Sequence, residues 1–178
     1  MPERAPKGFT LIELLIVVAI IGIIAAIAVP GLMRARMAGD EASAIGSLRA
    51  INSAEASYAA SCGQGAYAGT LADLGKPPRA GTEGFISPDL KTDPSTKSGY
   101  TVTMSAGGAA PTGVTGCNNP ASLAQSYFVA ADPQVPESTG SRFFGTNQAG
   151  TIYQSSSNPP ATLEVTQVGA PAAAIPIQ

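Results

Sequence analysis

The strongest pattern in the chain is an apolar run near the N-terminus, over residues 9–29. As an α-helix rising 1.5 Å per residue, this run would be about 32 Å long, which matches a bilayer core of about 30 Å. It is too long for the apolar part of an ordinary secretory signal, and no small-x-small cleavage site follows it cleanly. The pattern therefore predicts one membrane-spanning helix. An ionisable side chain inside such a helix indicates a functional site, and this run contains one, Glu13.

A helical pattern continues beyond the span. Pro30 is predicted to kink or locally melt the helix, because proline lacks an amide N–H and clashes with the preceding turn. Apolar residues then recur at three- and four-residue steps, and Gly63 provides a stop signal. We therefore predict one helix of roughly 50 residues, whose outer half, residues 30–62, is amphipathic. The apolar stripe consists of Ile45, Leu48, Ile51, Ala54, Tyr58 and Ala59, and the charged residues predicted to lie mostly off it are Asp40, Glu41, Arg49 and Glu55.

The remaining residues, 63–178, predict a small β-rich head. The capping-box spacing of Thr70 and Asp73 predicts a short helical turn. Alternation of apolar and polar residues predicts a half-buried strand in GYTVTMSA, and short apolar and aromatic runs next to turns predict further strands. A last edge strand is predicted at residues 163–168, within a tail rich in Pro, Ala and Ser. The strand segments are GYTVTMSA, SYFVAA, RFFGT and GTIYQ. The predicted fold class is α+β, with the outer half of the long helix packed on a small antiparallel sheet.

Composition and charge narrow the function further. Charged residues make up 12% of the chain, about half the usual share, and the net charge of −2 argues against a nucleic-acid surface. The sequence has no histidine, so neither a Ser-His-Asp nor a Cys-His arrangement can form. The glycine-rich segment GQGAYAG follows a helix instead of a strand, which is the wrong context for a dinucleotide site. We predict no enzyme activity, no cofactor and no metal site.

Cys62 and Cys117 are the two cysteines, and they form no Cys-x-x-Cys motif. An even pair in an exported chain usually closes one disulfide, which here would join the end of the long helix to a Gly/Pro/Asn-rich loop at residues 107–120. The alternative is two buried, reduced thiols. The prediction of a disulfide depends on the head lying outside the cytoplasm.

The segment KGFTLIELLIVVAIIGIIAAIAVP closely resembles the N-terminal cleavage and methylation motif of type IV prepilins and type II secretion pseudopilins. The resemblance implies that residues 1–8 are a leader, which prepilin peptidase removes by cutting between Gly8 and Phe9. It also implies that the same enzyme methylates the new terminal amine of Phe9. Glu13 matches the family's glutamate at the fifth mature position, and Pro30 matches its helix-kinking proline.

This resemblance gives Glu13 a partner. Removal of the leader creates an ammonium group at Phe9, which an incoming subunit can pair with Glu13 of its neighbour. A charge left unpaired in a dry filament core is costly, so a subunit out of register is penalised. The alternative is a carboxylate near the end of the span that snorkels to the interface.

The head also resembles one group of bacterial pilins, in which a small antiparallel sheet lies against the long helix. Short sequence motifs carry this second resemblance. They are Tyr67 with Leu71, Leu74 and Gly75; Ser98-Gly99-Tyr100; and Phe143-Phe144 with Gly150-Thr151-Ile152. The acids of the head do not cluster in the manner of a calcium loop in a major pseudopilin.

Three functions fit these patterns. The favoured one is a structural subunit of an extracellular type IV pilus. The others are a pseudopilin of a type II secretion system and a membrane-anchored binding module that does not polymerise. The implied partners are copies of itself, other pilins, prepilin peptidase, an inner-membrane assembly platform and the bilayer, with no nucleic acid. The implied location is the inner membrane with the head in the periplasm, and then a cell-surface pilus.

Charge near the span bears on its orientation. Arg4 and Lys7 favour a cytoplasmic N-terminus by the positive-inside rule, whereas Arg34 and Arg36 beyond the span oppose it.

Overall fold

The computed structural model describes residues 8–156 and 174–177. It consists of one long helix, one short helix and an antiparallel sheet, which confirms the α+β class. The long helix has 51 residues, in agreement with the length predicted from the sequence. The elements are α1 (Leu11–Ser61), β1 (Tyr67–Ala68), α2 (Leu71–Leu74), β2 (Ser95–Lys97), β3 (Tyr100–Ala109), β4 (Leu123–Pro133), β5 (Phe143–Asn147), β6 (Ile152–Ser155) and β7 (Ile175–Pro176).

Helix α1 runs without interruption through Pro30. The local melting predicted as one outcome is therefore absent from this structure, and the kink stays a prediction. The chain divides into two compact units, Met1–Arg36 and Met37–Gln178. In the first unit, every described side chain up to Arg36 is exposed.

The second unit buries one stripe of α1. The predicted members Leu48, Ile51 and Tyr58 are each 0% exposed. Glu41 and Glu55 are also buried, so the prediction that they lie off the stripe is wrong for these two. Their positions continue the three-and-four spacing of the apolar residues, which places them on the same face of the helix. The buried series is Glu41, Ala44, Leu48, Ile51, Glu55, Tyr58 and Cys62.

The sheet in the described residues has seven strands in the order β2-β3-β4-β5-β6-β7, with β1 paired to β4. Every pairing is antiparallel. The central pair, β3 and β4, runs in register from Tyr100 opposite Pro133 to Ala109 opposite Ala124. Side chains of β3 alternate as predicted, with Tyr100, Val102 and Met104 buried.

The short elements show where sequence patterns succeed and fail. Helix α2 forms as predicted, because the Thr70 hydroxyl accepts the Asp73 amide at 3.1 Å. Strands β1, β2 and β7 were not predicted. Each is two or three residues long, too short to show a period. The edge strand predicted at residues 163–168 lies outside the described residues.

Glycine is required at position 63, between the end of α1 and the head. A Cβ on Gly63 would lie 2.0 Å from the Ala66 carbonyl oxygen, a backbone atom. We expect Gly63→Ala to lower the free energy of unfolding by about 2–3 kcal/mol, since the backbone must shift to relieve the clash. Urea unfolding followed by tyrosine fluorescence measures this change. The matched control is Gly46→Ala, on the exposed face of α1 with nothing within 4 Å, which should stabilise by up to about 1 kcal/mol.

Candidate functional site

The candidate site is built at the N-terminus of α1. Gly8, Phe9 and Thr10 are non-helical and exposed, and the helix begins at Leu11. The Thr10 amide donates to Glu13 Oε2 at 2.9 Å, and the Thr10 hydroxyl donates to the same oxygen at 2.5 Å. In return, the Glu13 amide donates to Thr10 Oγ1 at 3.3 Å. This reciprocal arrangement is a capping box, which fixes where the helix starts and how the Glu13 side chain is directed.

Sequence reasoning missed the role of Thr10. The signal was present, because a Thr-x-x-Glu spacing directly before an apolar run is the pattern of a capping box. The structure thus brings Glu13 together with Thr10 of its own chain. Glu13 Oε1 has no hydrogen bond within residues 8–156 and 174–177, so one carboxylate oxygen is left to meet an outside donor.

The helix after this cap presents a continuous apolar surface. Its most apolar 18-residue window has a mean hydropathy of 3.1, and none of that window is buried. Phe9 at one end is 81% exposed, and Met33 at the other is 55% exposed. Monomeric soluble proteins rarely expose such a contiguous patch, so this surface requires lipid or apolar protein around it. By length and composition α1 can cross a membrane.

The predicted disulfide between Cys62 and Cys117 is confirmed. It ties the last turn of α1 to the loop between β3 and β4. Asn118, the residue after Cys117, accepts the Tyr58 hydroxyl at 3.0 Å and donates to the carbonyl of Asp73 at 2.7 Å. The loop is therefore held to both helices by hydrogen bonds as well as by the covalent bond.

Buried Asp73 reinforces this junction. Its carboxylate accepts the Lys76 ammonium at 2.7 Å, the Ala121 amide at 2.8 Å and the Thr70 hydroxyl at 3.0 Å. Burial alone would raise the pKa of Asp73, but these donors outweigh it and hold the pKa below the ordinary value. The side chain that the sequence marked as a helix cap therefore also anchors the loop.

A second buried carboxylate, Glu41, clamps α1 to the two residues just before β5. Glu41 Oε2 accepts Arg142 Nη2 at 2.6 Å and Nε at 2.9 Å, and Glu41 Oε1 accepts the Ser141 amide at 2.9 Å. Arg142 also donates to Gln154 at 2.6 Å and lies 5.4 Å from the centre of the Phe144 ring. Burial opposes ionisation of Glu41, yet the bonds from Arg142 and Ser141 prevail and lower its pKa.

The ion pair between Glu41 and Arg142 predicts how the stability of the fold depends on acidic pH. Because the folded pKa of Glu41 is depressed, its stabilising contribution is present above the unfolded pKa of about 4.5 and is lost as the pH falls through the folded value. We expect Arg142→Ala to leave Glu41 buried without its partner and to move acid unfolding to a higher pH. Circular dichroism from pH 7 to 2 measures the midpoint. Lys97→Ala, which breaks the exposed pair with Asp89, should leave the midpoint nearly unchanged.

Chemistry on a metal is not indicated by the described part of the chain. Within it, no group of three His, Cys, Asp or Glu side chains gathers in a way that could hold an ion. The strongest concentration of unusual features lies in residues 8–36, where an exposed apolar surface contains one carboxylate, Glu13.

In a comparison with known protein families, the match falls on the same N-terminal segment. Residues 4–29 match the family described as the prokaryotic N-terminal methylation motif. The type IV major pilin protein PilA of Myxococcus xanthus is 48% identical over 52 residues, which are 29% of this chain and 24% of that protein. The type IV wide pilus major component PilA4 of Thermus thermophilus is 67% identical over 33 residues, 18% of this chain and 25% of that protein.

A fimbrial protein of Pseudomonas aeruginosa is 82% identical over 27 residues, 15% of this chain and 18% of that protein. The chain therefore matches a quarter or less of the length of these relatives. No solved structure matches it. Residues 4–29 of this chain thus carry the prokaryotic N-terminal methylation motif, and the relatives that are similar to part of the chain are named as pilins or fimbrial proteins.

Proposed function

We propose that the chain is a structural subunit of an extracellular type IV pilus, polymerised through the N-terminal half of α1. The observation that carries the proposal is the exposed apolar surface of residues 9–33, in which Glu13 is the one charged side chain. A surface of this kind is stable in a bilayer and equally stable against identical helices in a filament core. Relatives named as pilins, each similar to part of this chain, support the second environment, the filament core.

In this proposal, prepilin peptidase cuts between Gly8 and Phe9 and methylates the new amine of Phe9. Both residues lie outside the helix, where the backbone can enter a protease site in an extended form. Residues 1–8 are then the leader, residues 9–29 the membrane and filament segment, residues 30–62 the amphipathic half, and residues 63–178 the head.

Glu13 acts as a docking group between subunits. Its Oε2 is engaged by Thr10 within the chain, which leaves Oε1 for a second donor. The ammonium of Phe9 on a neighbouring subunit supplies that donor, and the pair forms only when the two helices are in register. The capping box therefore uses only Oε2 and does not occupy the oxygen that docking requires.

Before assembly the subunit stands in the inner membrane with its head in the periplasm. An assembly platform in that membrane and other pilins complete the set of partners. The disulfide supports a head outside the cytoplasm, because such bonds persist in oxidising compartments.

Mass spectrometry of filaments sheared from cells expressing the chain tests this proposal. The expected result is an abundant mature chain that begins at methylated Phe9. Mature protein confined to the cell envelope would instead favour a pseudopilin of a type II secretion system, which shares the same N-terminal motif. An uncut chain in cells with active prepilin peptidase would refute both functions.

A further inference from the structure

Glu55 is a carboxyl group fully enclosed by the head. Its side chain is 0% exposed, although it lies on α1 among the apolar residues of the buried stripe. Its Oε2 accepts the backbone amide of Ala68 at 3.0 Å. Ala68 belongs to β1, which has only two residues and pairs with the start of β4. Glu55 is thus a direct tie between the long helix and the two-residue strand β1.

The other oxygen of this carboxyl, Oε1, is buried and has no hydrogen-bond partner in the described residues. Glu41 and Asp73, the other two buried acids of this unit, are each satisfied by several donors, including a cation. A buried carboxylate with one donor and no cation is poorly stabilised when ionised, whereas the neutral acid fits the same space at much lower cost.

Among the described residues, the titratable groups near Glu55 are one acid and two phenols, and none of them is a cation. Asp73, just beyond the start of α2, is itself ionised and acts on Glu55 by charge repulsion. The phenol of Tyr58 approaches from α1 and that of Tyr127 from β4. A charge on Glu55 raises the pKa of both phenols, in addition to the larger effect of their burial. Tyr67 of β1 packs edge-on against Tyr127 at 5.0 Å and closes the site.

We propose that Glu55 is a pH-responsive latch: as a neutral acid it holds β1 to α1, and its ionisation in mildly alkaline solution releases β1. The first step is loss of the proton to solvent, for which the site must open. Once charged, the carboxylate is more stable hydrated than enclosed, so the open form is favoured. Release affects β1 first, because the Ala68 amide is bonded to the titrating group itself.

The pH range follows from linkage. Burial raises the pKa of Glu55 to about 8, an effect only partly offset by the Ala68 amide and increased by Asp73. An acid whose folded pKa is raised favours the closed state fully below its unfolded pKa. That advantage is lost as the pH rises toward the folded value. The equilibrium between open and closed forms should therefore shift by up to about tenfold per pH unit between roughly pH 5 and 8.

Amide hydrogen exchange on the full chain in detergent tests the latch. The protection factor of Ala68, corrected for intrinsic exchange, is expected to fall by up to about tenfold per pH unit across this range. Ala121 provides an internal control, because its amide is bonded to Asp73, whose pKa is lowered. Protection of Ala121 should vary much less with pH.

Glu55→Gln is the matched variant, since glutamine can accept the Ala68 amide but does not titrate. It should make the protection of Ala68 independent of pH, while Glu83→Gln, at an exposed position, should leave the wild-type slope intact. Infrared spectroscopy with isotope-labelled glutamate should also show a protonated carboxyl at pH 7 in the wild-type chain. Wild-type protection of Ala68 that is flat from pH 5 to 8, or the absence of the protonated band, would overturn the latch. Neither result depends on whether the chain forms filaments.

Discussion

Glu13→Ala should leave the chain inserted in the membrane and abolish its assembly into filaments. The apolar surface proposed to retain it in the bilayer is unchanged, whereas the proposed acceptor for the neighbour's Phe9 ammonium is lost. An ammonium without a partner in a water-free core is strongly unfavourable, so we expect sheared filament yield to fall by more than about tenfold. Quantitative immunoblotting of sheared and membrane fractions measures both quantities. If this variant gave as many filaments as the wild-type chain, the docking role of Glu13 would be wrong.

Two further variants separate charge from capping. Glu13→Gln removes the charge but keeps the capping box, because glutamine at this position can also accept the Thr10 amide. Thr10→Val removes the cap and keeps the charge. Loss of filaments with Glu13→Gln, together with substantial assembly of Thr10→Val, would assign the effect to the charge. The reverse pattern would show that the start of the helix is what assembly requires.

Replacement of both Cys62 and Cys117 by serine should cause the largest loss of stability in the head. The bond joins residues separated by 55 positions, and closing a loop of this size stabilises by about 4 kcal/mol in the chain-entropy account. Hydrogen bonds from Asn118 should keep the loop near its place in the folded variant, so the fold is retained while its free energy of unfolding falls.

Urea unfolding of the full chain in detergent, followed by tyrosine fluorescence, measures this loss. A reducing agent should lower the stability of the wild-type chain by a similar amount and leave the double variant unaffected. If thiol labelling of the exported protein found both cysteines reactive, the bond would not form in the cell and the prediction would fail.

The elements that the sequence predicts carry a local signal, which is a period, a capping pair or an aromatic run. The alternation of Tyr100, Val102 and Met104 predicted β3, and the capping pair of Thr70 and Asp73 predicted α2. Strand β5 was found from its aromatic content, since all of its side chains are buried and no alternation exists. The two residues of β1 carry no comparable signal, and only the fold brings them beside β4.

The buried acids show a different limit on what can be predicted from the sequence. Glu41 and Glu55 occupy apolar positions in the spacing of α1, but their charge suggested an exposed face. For Glu41 the missing information was Arg142, a partner a hundred residues away that only the folded chain supplies. For Glu55 the described residues supply no cation, and the sequence offers no means of foreseeing the neutral acid that we propose. At the candidate site, local spacing was sufficient to reveal Thr10, because both members of the cap lie within one turn.

The covalent bond between Cys62 and Cys117 also sets how the chain responds to tension. Strands β1, β2 and β3 and helix α2 all lie inside the loop that it closes. If the ends of the chain are pulled apart, force passes from one sulfur to the other and bypasses these elements. At about 3.4 Å per extended residue, roughly 190 Å of contour length stays hidden until the bond is reduced. A subunit built this way lengthens under load by much less than its number of residues allows.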